Sequence, residues 1–183
     1  AYVASSSDGL VRVDISDPLT PSVLGIVPAT SGAGYVAVDV EGFHAVAVER
    51  DLTAGVDVID VRTPAVTGHF GSYGGGVDVA VVGRKAYVLG EDTAATLQDH
   101  VAVLDFSDPA APIEWTYGRL GQLDAQRLAV DGDRIATSNS IGLGTAVRTA
   151  PDFDATRDYV QSLPFESSGN GVVAVRATVT GTG

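Results

Sequence analysis

The residues best suited to bind a metal ion form a short acidic segment late in the chain. Asp152, Asp154 and Asp158 occupy the first, third and seventh positions of the stretch DFDATRD. Calcium takes about six to eight oxygen ligands, and closely spaced aspartates supply several of them. However, Arg157 stands where the familiar calcium loop has glycine, and the glutamate that closes such a loop is missing. Calcium is therefore one candidate cofactor, and a solvated acidic loop without any cofactor is the simpler interpretation.

The other residues capable of chemistry are scattered. His44 begins one predicted strand, His100 precedes another, and His69 lies in an outer strand. A zinc or acid–base site would need these side chains to converge. The absence of cysteine excludes disulfides, zinc–thiolate sites and thiol catalysis. No Gly-x-Ser-x-Gly motif marks a serine nucleophile. The sequence thus predicts no catalytic residue.

The elements that position these residues come from a repeat of about 45 residues. Its clearest part is a valine-rich strand that ends on an aspartate, which recurs at Asp14, Asp60 and Asp105. An aspartate at the end of a strand accepts backbone N–H groups in the following turn, so these three residues are predicted to be structural. The prolines that follow cannot donate to a sheet ladder and therefore mark the exit from the strand.

Each repeat is predicted to contain four strands, because β-branched residues alternate and turn residues recur every 8 to 12 positions or so. An inner strand turns at Gly42, Gly83 or Gly132 into a second strand, which precedes the valine-rich third strand and an outer strand. The loops between second and third strands lengthen along the chain, at residues 5–8, 49–54, 90–99 and 139–170. All four are expected at one end of the blades, where long loops usually carry binding.

These patterns predict an all-β fold, a β-propeller of about four blade-like repeats of four-stranded antiparallel sheet. The repeats cover approximately residues 1–31, 32–73, 74–121 and 122–183 of one domain. The first repeat lacks an inner strand, and the fourth has few residues after its predicted third strand, Gly171 to Arg176. The chain therefore reads as about half of a seven- or eight-bladed ring. Its open edges are expected to meet another chain or the missing part of the same polypeptide.

The repeat resembles the LVIVD repeat of bacterial and archaeal surface proteins. The similarity lies in LVRVD at 10–14, VDVID at 56–60 and VAVLD at 101–105. The SDPxxP tails at 16–21 and 107–112 and the AYV strands at 1–3 and 86–88 resemble it too. The fourth repeat departs from it, because Arg176 stands where the aspartate belongs. The resemblance implies an exported or cell-surface β-propeller without established catalytic residues.

The acidic composition limits the partners. The net charge of −12, from 23 acidic and 11 basic side chains, disfavours nucleic acid and anionic membranes. Adaptation to high salt and an ordinary acidic secreted protein both fit this charge. No run of apolar residues is long enough to span a membrane.

Three functions remain open at this point. The first is a non-enzymatic, extracellular or cell-surface propeller whose loops bind a protein, a glycan or the envelope. The second is a metal-dependent propeller hydrolase or lactonase with a cation in the central channel, towards which Asp39, Asp78 and Arg127 are candidates to point. The third is a structural assembly subunit. The lack of a catalytic constellation favours the first.

Overall fold

The computed structural model describes residues 1–50, 55–71, 75–91, 99–119, 125–131, 134–139, 144–148 and 161–162. All regular elements of these residues are β-strands, which form four antiparallel sheets. We call the sheets blades 1 to 4 in chain order. None of the described residues forms a helix that could cross a membrane.

The strands of each blade follow one another in space as they do in sequence. Blade 1 contains β1 (Tyr2–Ser5), β2 (Gly9–Asp14) and β3 (Ser22–Val27). Blade 2 contains β4 (Tyr35–Glu41), β5 (His44–Glu49), β6 (Val56–Asp60) and β7 (Ala65–Phe70). Blade 3 contains β8 (Gly75–Val82), β9 (Lys85–Glu91), β10 (His100–Asp105) and β11 (Ile113–Arg119). Blade 4 contains β12 (Ala125–Asp131), β13 (Arg134–Asn139), β14 (Gly144–Arg148) and β15 (Gln161–Ser162).

Turn and bulge positions repeat between blades and hold the strands in register. Gly42 and Gly83 have φ values of 60° and 64° in the turns between inner and second strands, a conformation that favours glycine. A β-bulge interrupts the pairing of third and outer strands in blades 1, 2 and 3, each time just before the terminal aspartate. The pattern of strand pairing therefore repeats from blade to blade, as the sequence does.

The hydrophobic core lies between the blades as three clusters. Blades 1 and 2 enclose Leu10, Tyr35 and Ile59, blades 2 and 3 enclose a valine-rich cluster, and blades 3 and 4 enclose Tyr87 and Leu89. The inner strands β4, β8 and β12 pack successively against one another. Among the described residues, no packing of comparable extent joins β12 to β1.

The all-β propeller prediction is confirmed, and blade 1 has no inner strand among the described residues. The predicted loop at 139–170 is wrong, because β14 and β15 lie within it and complete blade 4. The sequence Gly144–Arg148, GTAVR, is short and ends without the aspartate, so the repeat pattern did not reveal it. The segment 171–176 lies outside the described residues.

Candidate functional site

The largest cluster of buried polar groups in the described part of the chain surrounds Asp57, in the third strand of blade 2. Asp57 is fully buried, and its two oxygens together accept two hydrogen bonds from one residue, Thr30. The Thr30 backbone N–H donates at 2.9 Å and the hydroxyl at 2.8 Å. The Tyr35 hydroxyl donates at 2.6 Å, and His69 Nδ1 lies 2.7 Å from the carboxylate. Both oxygens of Asp57 thus have two partners each.

Glu49 extends the cluster from the end of β5. One of its oxygens accepts the Ser31 backbone N–H at 2.7 Å, and the other accepts the Gly55 N–H at 2.9 Å. Ser31 and Thr30 belong to the connection between blades 1 and 2, so both carboxylates hold this connection against blade 2. We call Glu49, Asp57, His69 and Tyr35 the carboxylate network.

Burial is the main electrostatic feature of the network. Desolvation, reinforced by the hydrogen bond to Asp57, raises the pKa of Tyr35 far above its usual value. The phenol therefore stays protonated and donates to Asp57. Hydrogen bonds from fixed donors of this kind offset the cost of burying the carboxylate.

A metal ion is the obvious chemical alternative for this cluster. Ligand atoms of Glu49, Asp57 and His69 lie within 4.8 Å of one another, close enough to share an ion. However, both Asp57 oxygens already accept two hydrogen bonds, so coordination would displace Thr30, Tyr35 or His69. The arrangement fits a hydrogen-bond network that holds the connection between blades 1 and 2 better than it fits a metal centre.

The candidate channel residues Asp39 and Asp78 also accept hydrogen bonds from backbone. Asp39 accepts the Val81 N–H of the next inner strand at 2.7 Å, and Asp78 accepts the Leu128 N–H at 2.8 Å. Each also accepts the N–H of the residue after it, from Val40 and Val79. Both aspartates therefore join neighbouring blades. Arg127, by contrast, is exposed and donates to the Gln126 carbonyl.

The three strand-terminal aspartates have equivalent turn geometry. Asp14, Asp60 and Asp105 each accept the backbone N–H of the residue two positions later, and Asp14 also accepts the Ser16 hydroxyl. Hydrogen bonds from Ser16 and Ser107 lower the pKa values of Asp14 and Asp105. Arg62 donates two side-chain bonds to Asp60 and lowers its pKa to about 2. All three carboxylates are thereby held in the charged form.

The remaining predicted site residues have different outcomes. Asp152, Asp154 and Asp158 lie outside the described residues. His44 begins β5 beside Arg84 and Phe106, whereas His100 is buried at the start of β10, so the two do not join the network around His69. Sequence reasoning missed Asp57, although it lies between two valines in a strand that is otherwise apolar up to its terminal Asp60. The residues that correspond to Asp57 in the strand pairing are Val11 in blade 1 and Ala102 in blade 3.

Comparisons with known proteins identify the fold alone. No protein-family model matches the chain, and no curated protein is similar to it. A solved structure similar to it is the computationally designed Ika4 protein, with 13% identity and a TM-score of 0.63 over 81% of this chain and 84% of that one. Another is the β-propeller domain of Myceliophteria thermophila Cps50 (Swd1), with 17% identity and a TM-score of 0.62. That match covers 88% of this chain, which spans 55% of the other chain's length. The chain has the blade architecture of a β-propeller.

Proposed function

We propose that this protein is a non-enzymatic, exported or cell-surface β-propeller that binds a protein, a glycan or the cell envelope through its loops. The observation that carries the proposal is how its buried and half-buried carboxylates are used. Glu49 and Asp57 hold the connection between blades 1 and 2, whereas Asp39 and Asp78 link the inner strands of neighbouring blades. The carboxylates that a channel enzyme would need as ligands instead hold the blades and their connection together. Export and surface location rest on the sequence resemblance to LVIVD-repeat proteins.

The loops between second and third strands are the proposed binding surface. The described loop of blade 1 runs from Ser5 to Asp8, and Asp8 accepts hydrogen bonds from the Ser5 and Ser7 hydroxyls at 2.7 Å each. Gly34 of the blade connection lies close against the backbone of this loop, and its carbonyl accepts the Arg50 N–H at 2.9 Å. The blade 1 loop and Arg50, which follows β5 in blade 2, are therefore held by the same connection, as binding loops on a rigid scaffold are.

The rival function is a hydrolase or lactonase that holds a cation in the channel. Such a site needs several convergent oxygen ligands free to bind the ion. Asp39 and Asp78 each have both oxygens engaged by backbone N–H groups, and this geometry favours a structural role over ligation.

Binding to defined probes tests the proposal. The probes are a glycan microarray and purified cell-envelope sheets, applied to the full chain at high salt. Replacing residues 92–98, the residues between β9 and β10 in the sequence, by a Gly-Ser linker of equal length should weaken binding by at least about tenfold. Arg62→Gly with Thr63→Ser, at the opposite end of blade 2, is the matched control and should bind like wild type.

Two results would overturn the proposal. One is that the wild-type chain binds a probe and the variant with residues 92–98 replaced binds it equally well. The other is metal-dependent hydrolysis of a lactone or ester substrate that Asp39→Asn and Asp78→Asn both abolish while the variants remain folded.

A further inference from the structure

Blade 1 has an apolar face that points away from blade 2. Tyr2, Ala4 and Leu10 pack towards blade 2, so the alternate residues of the same strands lie on the opposite face. Strand pairing places Val3 opposite Val11, Val11 opposite Ile26, and Val13 opposite Val23. We call this set, Val3, Val11, Val13, Val23 and Ile26, the free face of blade 1. Val3, Val23 and Ile26 are 49%, 65% and 50% exposed.

The equivalent face is buried in the next two blades. Val13 immediately precedes the terminal aspartate of its strand, as Ile59 does in blade 2 and Leu104 does in blade 3. The strand pairing likewise matches Val3 with Ala47 and Val88. These four residues of blades 2 and 3 are at most 1% exposed, because each packs against the preceding blade. The free face of blade 1 therefore consists of the positions that contact the preceding blade in blades 2 and 3.

The turn after β2 leads to the same conclusion. In blade 3 the corresponding turn lies against the outer strand of blade 2, where a Cβ added to Gly68 would come within 2.0 Å of the Pro109 carbonyl and 2.9 Å of Pro112. In blade 1 the matching turn, residues 16–21, is exposed, and Leu19 is 89% exposed. Asp17 nevertheless accepts the Leu19 N–H and the Thr20 hydroxyl, so the turn is already ordered.

Blade 4 offers the complementary side. Ile135 and Thr137 of β13 are buried, and Ile135 lies in the cluster shared with blade 3, whereas the alternating residues Ala136 and Ser138 are exposed. In blade 2 the positions of Ala136 and Ser138 are taken by Val46 and Val48, which pack against Val88 of blade 3. The described residues thus include both sides of a blade–blade contact, and both sides are exposed.

We propose that a second copy of this chain docks on the free face of blade 1 through the outward side of its own blade 4. The contact repeats the packing of blade 3 on blade 2. Val3 of one copy takes the place of Val88 and Ser138 of the other takes the place of Val48, two members of the cluster between blades 2 and 3. Such a head-to-tail interface forms a ring where its rotation closes and a filament where it does not. The net charge of −12 on each copy opposes association at low ionic strength, so high salt favours it. The assembly is independent of the loop-binding function proposed above.

Sedimentation of the full chain at molar salt tests the docking. The wild-type chain should self-associate with increasing concentration. Val23→Lys and Ile26→Lys should each weaken association by at least about tenfold, since a lysine ammonium would be buried in an apolar contact. Val82→Lys, at a comparably exposed valine of blade 3, is the matched control and should associate like wild type. All three positions are exposed in the single chain, and unchanged circular dichroism will confirm folding.

Crosslinking tests the register of the contact. The chain has no cysteine, so Val3→Cys and Ser138→Cys each introduce a single thiol. A mixture of the two variants treated with a bis-maleimide should form a mixed crosslinked dimer at a higher yield than either variant alone. A wild-type chain that stays monomeric at all concentrations would overturn the proposal. So would equal association of Ile26→Lys and Val82→Lys, or crosslinking that does not depend on mixing.

Discussion

Asp57 shows how a single buried charge shapes this repeat. The corresponding positions in blades 1 and 3 hold Val11 and Ala102, so the strand itself does not need a polar residue there. Its carboxylate instead accepts hydrogen bonds from Thr30 and Tyr35, which lie in and just after the connection from blade 1. A buried carboxylate with this many donors fixes one arrangement of the connection, because any shift would leave polar groups unsatisfied.

Substituting this carboxylate should destabilise the protein strongly. Asp57→Asn keeps the shape but replaces one acceptor oxygen by a donor, so two of the present donors lose their partner. We expect the free energy of unfolding to fall by about 2–5 kcal/mol. Urea unfolding followed by circular dichroism measures it. Asp131→Asn, at an exposed aspartate of β12, is the control and should change stability by less than about 0.5 kcal/mol. An Asp57→Asn protein as stable as the control would show that the network does not hold the connection between blades 1 and 2.

At the scale of elements, the strands and turns were predictable because their signals are local. Alternating valines, the turn at Gly42 and the aspartate after each third strand depend on neighbours within a few residues. The carboxylate network could not be predicted in this way, because Asp57 and Thr30 are brought together by the packing of two blades. The sequence carried one usable signal for it, an aspartate at a position where the repeats of blades 1 and 3 have apolar residues. Strand β14 was missed for the opposite reason, since GTAVR has no signal that distinguishes it from a loop.

The contact between the proline turn of blade 3 and the outer strand of blade 2 requires a glycine. Gly68→Ala would push a methyl group against the Pro109 carbonyl and the Pro112 ring, and backbone would have to move. We expect a loss of about 1–3 kcal/mol in the free energy of unfolding. Gly71→Ala is the matched control, because among the described residues its added methyl meets only the His69 ring, at 3.4 Å from Nε2 and 3.8 Å from Cδ2. Thermal and urea unfolding of both variants measure the difference. Equal stability of the two alanine variants would show that the turn does not pack tightly on this strand.

At the scale of the whole molecule, the net negative charge and the packing of the blades have opposite effects on stability. Blade packing buries valines, alanines and a few aromatic residues in three separate clusters, each of modest size. The acidic side chains outnumber the basic ones, and their negative charges repel one another. Ionic strength therefore determines how much of the packing energy remains as stability, because the screening length falls from about 10 Å at 0.1 M salt to about 3 Å at 1 M.

The melting temperature should consequently rise with salt. Between low salt and molar sodium or potassium chloride we expect an increase of at least about 5 °C, which corresponds to about 1–2 kcal/mol for a chain of this size. Differential scanning calorimetry measures it. General salting-out also stabilises folded proteins, so a variant that separates the two effects is needed. Glu91→Gln, Glu114→Gln and Asp131→Asn together remove three exposed charges. If self-repulsion is the cause, this variant should melt higher than wild type at low salt and respond less to added chloride. A flat wild-type curve, or equal slopes for the two proteins, would contradict adaptation of this surface to high salt.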